Sequence, residues 1–130
     1  MDSSAILALL NRRDRSHASA REILRLARER DTQFLMSNFL VAETFGLILV
    51  RLDARTARAW LGANTVPVEP VLLDDERRAR DVVLQYSDKD FSYVDGTSFA
   101  LMERLRLDTA FTFDHHFAQF GFQPLGLDDP

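Results

Sequence analysis

Four acidic side chains stand where solubility does not require them. Glu43 lies in the run Phe39-Leu40-Val41-Ala42-Glu43-Thr44-Phe45, with Leu47-Ile48-Leu49-Val50 just beyond, so most rotations of a helix built from this segment carry Glu43 inward. A buried, unpaired carboxylate is costly and needs a cation, a hydrogen-bond network or a proton. An ion pair with an Arg is one answer. Asp95 follows the polar loop Ser87 to Ser92 and opens a helical segment, Asp114 directly follows the apolar Phe111-Thr112-Phe113, and Asp2 precedes the first helix. Each of these three, taken singly, is accounted for as a helix N-cap. Taken with Glu43 they form an oxygen-donor set suited to Mg²⁺ or Mn²⁺, cations that leave positions open to water and substrate phosphate.

The elements that must position these acids are mostly helical. Ser3 or Ser4 caps a helix through Leu10, and a second runs from about Ser16 to Arg30 with Ala20, Ile23, Leu24 and Ala27 on one face. Phe34-Leu35-Met36 reads as a short buried strand, after which Ser37 or Asn38 caps a helix from about Phe39 to Leu52. Another helix covers Ala54 to about Ala63. Pro67 and Pro70 mark Val66 to Val71 as an edge strand. Asp74 or Asp75 starts a helix ending near Tyr86, Asp95 to Leu107 is helical, and Ala110 to Phe113 is a second buried strand. Asp114 then begins a short helix, and Phe122 to Leu125 is a last strand. Short apolar strands alternating with helices imply a parallel sheet covered on both faces, an α/β three-layer domain. In such a sheet a carboxylate just past a strand, as Asp114 is, points into the crevice where ligands sit.

Composition narrows the function. A chain of 130 residues with 46% hydrophobic residues and ten Phe is expected to be one domain over 1–130. Its 20 acidic against 16 basic residues give a formal charge of −4, which argues against gripping nucleic acid by bulk positive charge. All basic residues are Arg except Lys89. The absence of Cys excludes disulfides, thiolate metal sites and Cys nucleophiles. The longest near-apolar run, Phe39 to Val50, is 12 residues and too short to span a bilayer. The start Met1-Asp2-Ser3-Ser4 has no signal-peptide pattern, so a cytoplasmic location is expected.

Four segments, in order along the chain, carry a family resemblance: Asp2-Ser3-Ser4-Ala5-Ile6-Leu7-Ala8-Leu9-Leu10, Ser37 through Glu43, Asp90-Phe91-Ser92-Tyr93-Val94-Asp95-Gly96-Thr97-Ser98-Phe99-Ala100-Leu101-Met102, and Phe111-Thr112-Phe113-Asp114-His115-His116-Phe117. The sequence resembles the PIN-domain family and, within it, the VapC-like toxins of type II toxin–antitoxin systems. The resemblance implies a PIN-like domain with a short central parallel sheet flanked by helices, and a Mg²⁺- or Mn²⁺-dependent endoribonuclease. It places catalytic, metal-ligating acids at Asp2, Glu43, Asp95 and Asp114, with supporting hydroxyls at Ser4, Ser98 and Thr112. It also implies an RNA substrate, a small cognate antitoxin and a homodimer. Family members carry an apolar strand before the first acid; here only Met1 precedes Asp2, so that strand is expected to be truncated or missing. The α-amino group of a chain starting at Met1 would lie beside the first acid as a competitor for it.

Other readings remain. A PIN-like interaction module without activity, or a PIN nuclease of RNA processing outside a toxin–antitoxin pair, would share these segments. A phosphoaspartyl phosphatase would want Asp-x-Asp at a strand end, and Asp88-Lys89-Asp90 lies in a polar loop. His115 and His116 are adjacent, without the spacing of a helical zinc pair, and are expected at the surface or a helix start, with His116 a lesser candidate for RNA phosphate. His17 is expected to be solvated, and Phe111, Phe113, Phe117, Phe120 and Phe122 to be core. Arg12, Arg13 and Arg15 follow the first helix, where they are either a solvated loop or RNA contacts.

Overall fold

A computed structural model describes residues 1–126; residues 127–130 lie outside the described part. The elements in chain order are α1 (Ser3–Leu10), α2 (His17–Glu29), β1 (Met36–Ser37), α3 (Asn38–Arg51), α4 (Ala54–Ala63), β2 (Val68–Glu69), α5 (Leu73–Gln85), α6 (Tyr93–Leu105), β3 (Thr109–Phe111), α7 (His116–Phe120) and β4 (Gln123–Leu125). No helix among them is long and apolar enough to cross a membrane.

The strands pair in parallel as expected, but as two separate pairs, β1 with β2 and β3 with β4. Met1 and Asp2 lie between the pairs. The Met1 α-amino group donates to the Leu35 carbonyl at 2.8 Å, and the Asp2 N–H donates to the Phe111 carbonyl at 2.9 Å. The amino group is therefore directed at the backbone before β1. Burial pushes its pKa down from 8.0 to about 6, against the opposing pull of the Asp2 carboxylate.

Alternation along β3 places helices on both faces. Ala110 packs with Val82 of α5, Phe99 and Met102 of α6 and Phe117 of α7, whereas Phe111 packs with Ala5 and Ala8 of α1 and Ala20 of α2. The late phenylalanines are core, as expected: Phe99 stacks on Phe120 with centroids 4.5 Å apart, and Phe99 meets Phe117 edge-on at 5.2 Å. Expected strands were longer than those observed. Phe34 packs its ring on Phe111 at 5.4 Å without joining the β1 ladder.

Two local devices set α6, which carries Asp95. Gly96 lies against Ala79 of α5 so closely that an added Cβ would sit 3.0 Å from the Ala79 carbonyl oxygen. At the other end of the helix pair, the buried Asp75 accepts from the Arg104 guanidinium at 3.0 Å and from the Leu72 N–H at 2.9 Å. Burial works to raise the Asp75 pKa, and the Arg104 and Leu72 bonds outweigh it, leaving the carboxyl below its usual range. His17, expected in solvent, is half-buried instead, with Nδ1 donating to the Ala8 carbonyl at 2.7 Å. Ala8 lies in the last turn of α1, where carbonyls lack helical partners, so the ring ties α1 to the start of α2.

A cavity of about 250 Å³ opens beside Met1, lined by Phe34, Met36, Ser98, Leu101, Ala110 and Phe111. Fusing three or four β-branched residues ahead of Met1 would replace the buried ammonium with an amide and fill apolar space. Thermal unfolding should then shift upward by about 5 °C, on the order of 2 kcal/mol, and an extension containing Asp or Pro should give no gain.

Candidate metal centre

Asp2 is the N-cap residue of α1, yet its carboxylate caps no backbone N–H of the helix. Instead Asp2 Oδ2 accepts from Ser4 Oγ at 2.8 Å and from Thr112 Oγ1 at 2.9 Å. Ser4 Oγ in turn accepts the Phe113 N–H, and Thr112 Oγ1 the Asp114 N–H, both at 2.9 Å. Two hydroxyls thus fix the first acid and join the start of α1 to the end of β3.

Glu43 is carried by α3, whose start is fixed by the Ser37 hydroxyl accepting the Leu40 N–H at 3.0 Å. The Glu43 side chain is half-buried, and its Oε1 accepts from Ser3 Oγ at 2.7 Å. Among the described residues no Arg pairs with it, so the ion-pair reading is replaced by a hydroxyl contact and a set of acidic neighbours. Asp95 is the third residue of α6 in a reciprocal cap: its N–H donates to Ser92 Oγ and its Oδ2 accepts the Ser92 N–H, both at 3.0 Å. The same Oδ2 lies 2.8 Å from His116 Nδ1. Asp114, in the turn after β3, accepts the His116 N–H at 2.9 Å through Oδ1.

All four acids line one crevice of about 260 Å³, together with Ser3, Ser4, Leu47, Arg51 and His116. Their charges oppose each other. Burial pushes the Asp2 carboxyl up, the Ser4 and Thr112 bonds pull it back, and Asp114 and Asp95 push it up again. For Glu43 the sequence is the same: burial raises it, Ser3 opposes, and Asp2, Asp95 and Asp114 raise it further. No ion pair to Arg or Lys neutralises any of the four among the described residues. Ligand atoms of Asp95, Asp114 and His116 lie within 4.8 Å of one another. Carboxylate oxygens converging without a protein cation, with one imidazole beside them, are a donor set that fits a divalent cation.

Some expected residues fall elsewhere. Ser98 bonds to none of the acids: its buried hydroxyl has no partner among the described residues, and the residue is one of those around the cavity beside Met1. Arg12, Arg13 and Arg15 are exposed in the turn after α1, at the far end of that helix from Asp2, roughly 12 Å along its axis at the standard rise per residue. His115 and His116 form the helix start expected of them, as the exposed N-cap and the first residue of α7, and the His116 ring turns into the acids. Ser3 and Arg51 were missed. Glu43, Leu47 and Arg51 recur every four residues on α3, and that spacing is the signal that would have found the Arg.

An acid crevice at the ends of short parallel strands, wrapped by helices, defines a PIN-domain nuclease. The PIN domain sequence profile matches residues 1–123, and the chain belongs to that family. It is similar to the 23S rRNA-specific endonuclease VapC20 of Mycobacterium tuberculosis, in strains CDC 1551/Oshkosh and ATCC 25618/H37Rv. The identity is 32% over 125 residues, covering 94% of this chain and 93% of VapC20. The crystal structure of Mycobacterium tuberculosis VapC20, described as a sarcin–ricin-loop-cleaving toxin, matches with a TM-score of 0.80 at 31% identity, over 93% of each chain.

Crowded carboxylates predict a tension between stability and function. Glu43→Gln should raise the thermal midpoint of the metal-free protein by a few degrees, about 1 kcal/mol, while reducing the further rise on adding Mn²⁺; scanning calorimetry with and without the cation checks both.

Proposed function

We propose that residues 1–130 form one PIN domain acting as a divalent-metal-dependent endoribonuclease, the toxin component of a toxin–antitoxin pair. The observation that carries this reading is the convergence of Asp2, Glu43, Asp95 and Asp114 on one crevice without a protein counter-ion. Asp2, Glu43 and Asp95 hold Mg²⁺ or Mn²⁺, and Asp114 orients water or a second cation. Ser4 and Thr112 keep Asp2 in place, and Ser3 does the same for Glu43. When bound, the cation supplies Lewis-acid charge that offsets the phosphodiester and acidifies the attacking water. Arg51, exposed at the crevice and without an ion pair among the described residues, takes a phosphate of the incoming strand.

Likeness to VapC20 supports a structured loop of 23S rRNA as the substrate, and a ribosomal substrate is consistent with a reaction in the cytoplasm. The family supports a small antitoxin and a homodimer as partners. Leu10, Leu49 and Val50, exposed on α1 and α3, are apolar surface that such partners would cover.

The test is cleavage of 23S rRNA, and of its isolated sarcin–ricin loop, with added Mg²⁺ or Mn²⁺. Wild-type protein should cut and Asp95→Asn should lose roughly a thousandfold or more in rate with an unchanged circular dichroism spectrum. Absence of cleavage with either cation, together with absence of cation binding, would favour the inactive interaction module. Arg51→Ala should raise KM about tenfold with little change in kcat, and Arg51→Lys should recover part of that loss.

A further inference from the structure

His116 departs from an all-oxygen site. Its Nδ1 lies 2.8 Å from Asp95 Oδ2 and 3.3 Å from Asp114 Oδ1, within the set of ligand atoms that converge to 4.8 Å. The position is fixed from two sides. The His116 N–H donates to Asp114 Oδ1, and the ring meets Phe91 edge-on with centroids 5.4 Å apart. Phe91 itself is buried against Val82 and Phe99, so the core of the domain sets the direction of the imidazole. One carboxylate would satisfy a single Nδ1–H. Here Asp95 Oδ2 is within hydrogen-bond reach and Asp114 Oδ1 lies 0.5 Å further off, neither paired with Arg or Lys among the described residues, the surroundings of a donor atom that can share a cation with its neighbours.

We propose that His116 is a nitrogen ligand of the divalent cation and biases the crevice toward Mn²⁺ over Mg²⁺ and Ca²⁺. This rests on the reading of the crevice as a divalent-cation site. Mg²⁺ and Ca²⁺ favour oxygen donors, and Mg²⁺ gives up its water reluctantly, whereas imidazole suits the transition-metal ions. Ligation through Nδ1 leaves the ring proton on Nε2, so the ring faces the cation as a neutral donor.

Pulsed electron paramagnetic resonance on Mn²⁺-loaded wild-type protein tests this without relying on activity. The expected result is a ¹⁴N modulation from one imidazole, lost in His116→Gln and retained in His115→Ala. Calorimetric titration should show the ratio of Mg²⁺ to Mn²⁺ dissociation constants falling by about tenfold in His116→Asp, which keeps a donor but removes the nitrogen. Tight Mn²⁺ binding without ¹⁴N modulation in the wild type would overturn the inference and leave the metal site standing, with His116 reduced to a hydrogen-bond partner of Asp95. Failure of the wild type to bind Mn²⁺ at all would overturn both.

Discussion

Mutual repulsion among four carboxylates in one partly buried crevice is the constraint around which the rest of the molecule is arranged. Asp2 and Glu43 are both driven toward protonation by burial and by their acidic neighbours. Left free, these side chains would rotate apart. What prevents this is a set of hydroxyls and backbone donors placed one per acid or nearly so: Ser4 and Thr112 on Asp2, Ser3 on Glu43, the Ser92 N–H on Asp95 and the His116 N–H on Asp114. Hydrogen bonds to an ionised group are stronger than neutral ones, so each donor holds both the charge and its direction.

Those donors come from the same short stretches that build the core. Thr112 directly follows β3, and Ser3 and Ser4 are the first residues of α1. Shifting α1 by one residue would move both hydroxyls off their carboxylates and turn Ala5 and Ala8 away from Phe111. Site and packing are therefore one cooperative unit. The bridging position of Met1 and Asp2 shows where that unit is thin: the two strand pairs are joined there through one ammonium and one amide, beside an apolar cavity.

The four acids were legible because each is a local anomaly, a charge in an apolar helix or just past an apolar strand. Helix boundaries were legible to within a few residues: Ser37, one of two residues read as the cap of α3, is that cap, whereas α6 is capped by Ser92, three residues before the Asp95 at which the helix was expected to open. Residues whose roles arise only from convergence were not. Ser3 resembles any helix-start serine until α3 brings Glu43 to it, and His116 resembles a surface histidine until Phe91 and α6 turn its ring inward. Ser98 is the opposite case. Its place in a family segment suggested support for an acid, but the residue lies on the part of α6 that faces the cavity beside Met1. The separation of the sheet into two pairs was equally hidden, because it depends on what lies between β1 and β3 and not on the strands' own sequences.

Net charge, at first an argument against nucleic acid, takes a different meaning once the acids are placed. Removing the four crevice carboxylates from 20 acidic residues leaves 16, equal to the 16 basic ones. The acidic excess of the chain thus equals in number the four crevice carboxylates, one of whose charges Arg51 on the same lining offsets. A phosphodiester approaching the metal-free crevice meets carboxylates with Arg51 as the one Arg or Lys on the lining among the described residues, and Coulomb repulsion in a partly desolvated site opposes entry. A divalent cation in the crevice would offset two of the four carboxylate charges, and Arg51 one more. On the proposed reading, substrate entry and catalysis would draw on the same ion, which lowers the repulsion a phosphodiester meets at the place where the chemistry occurs.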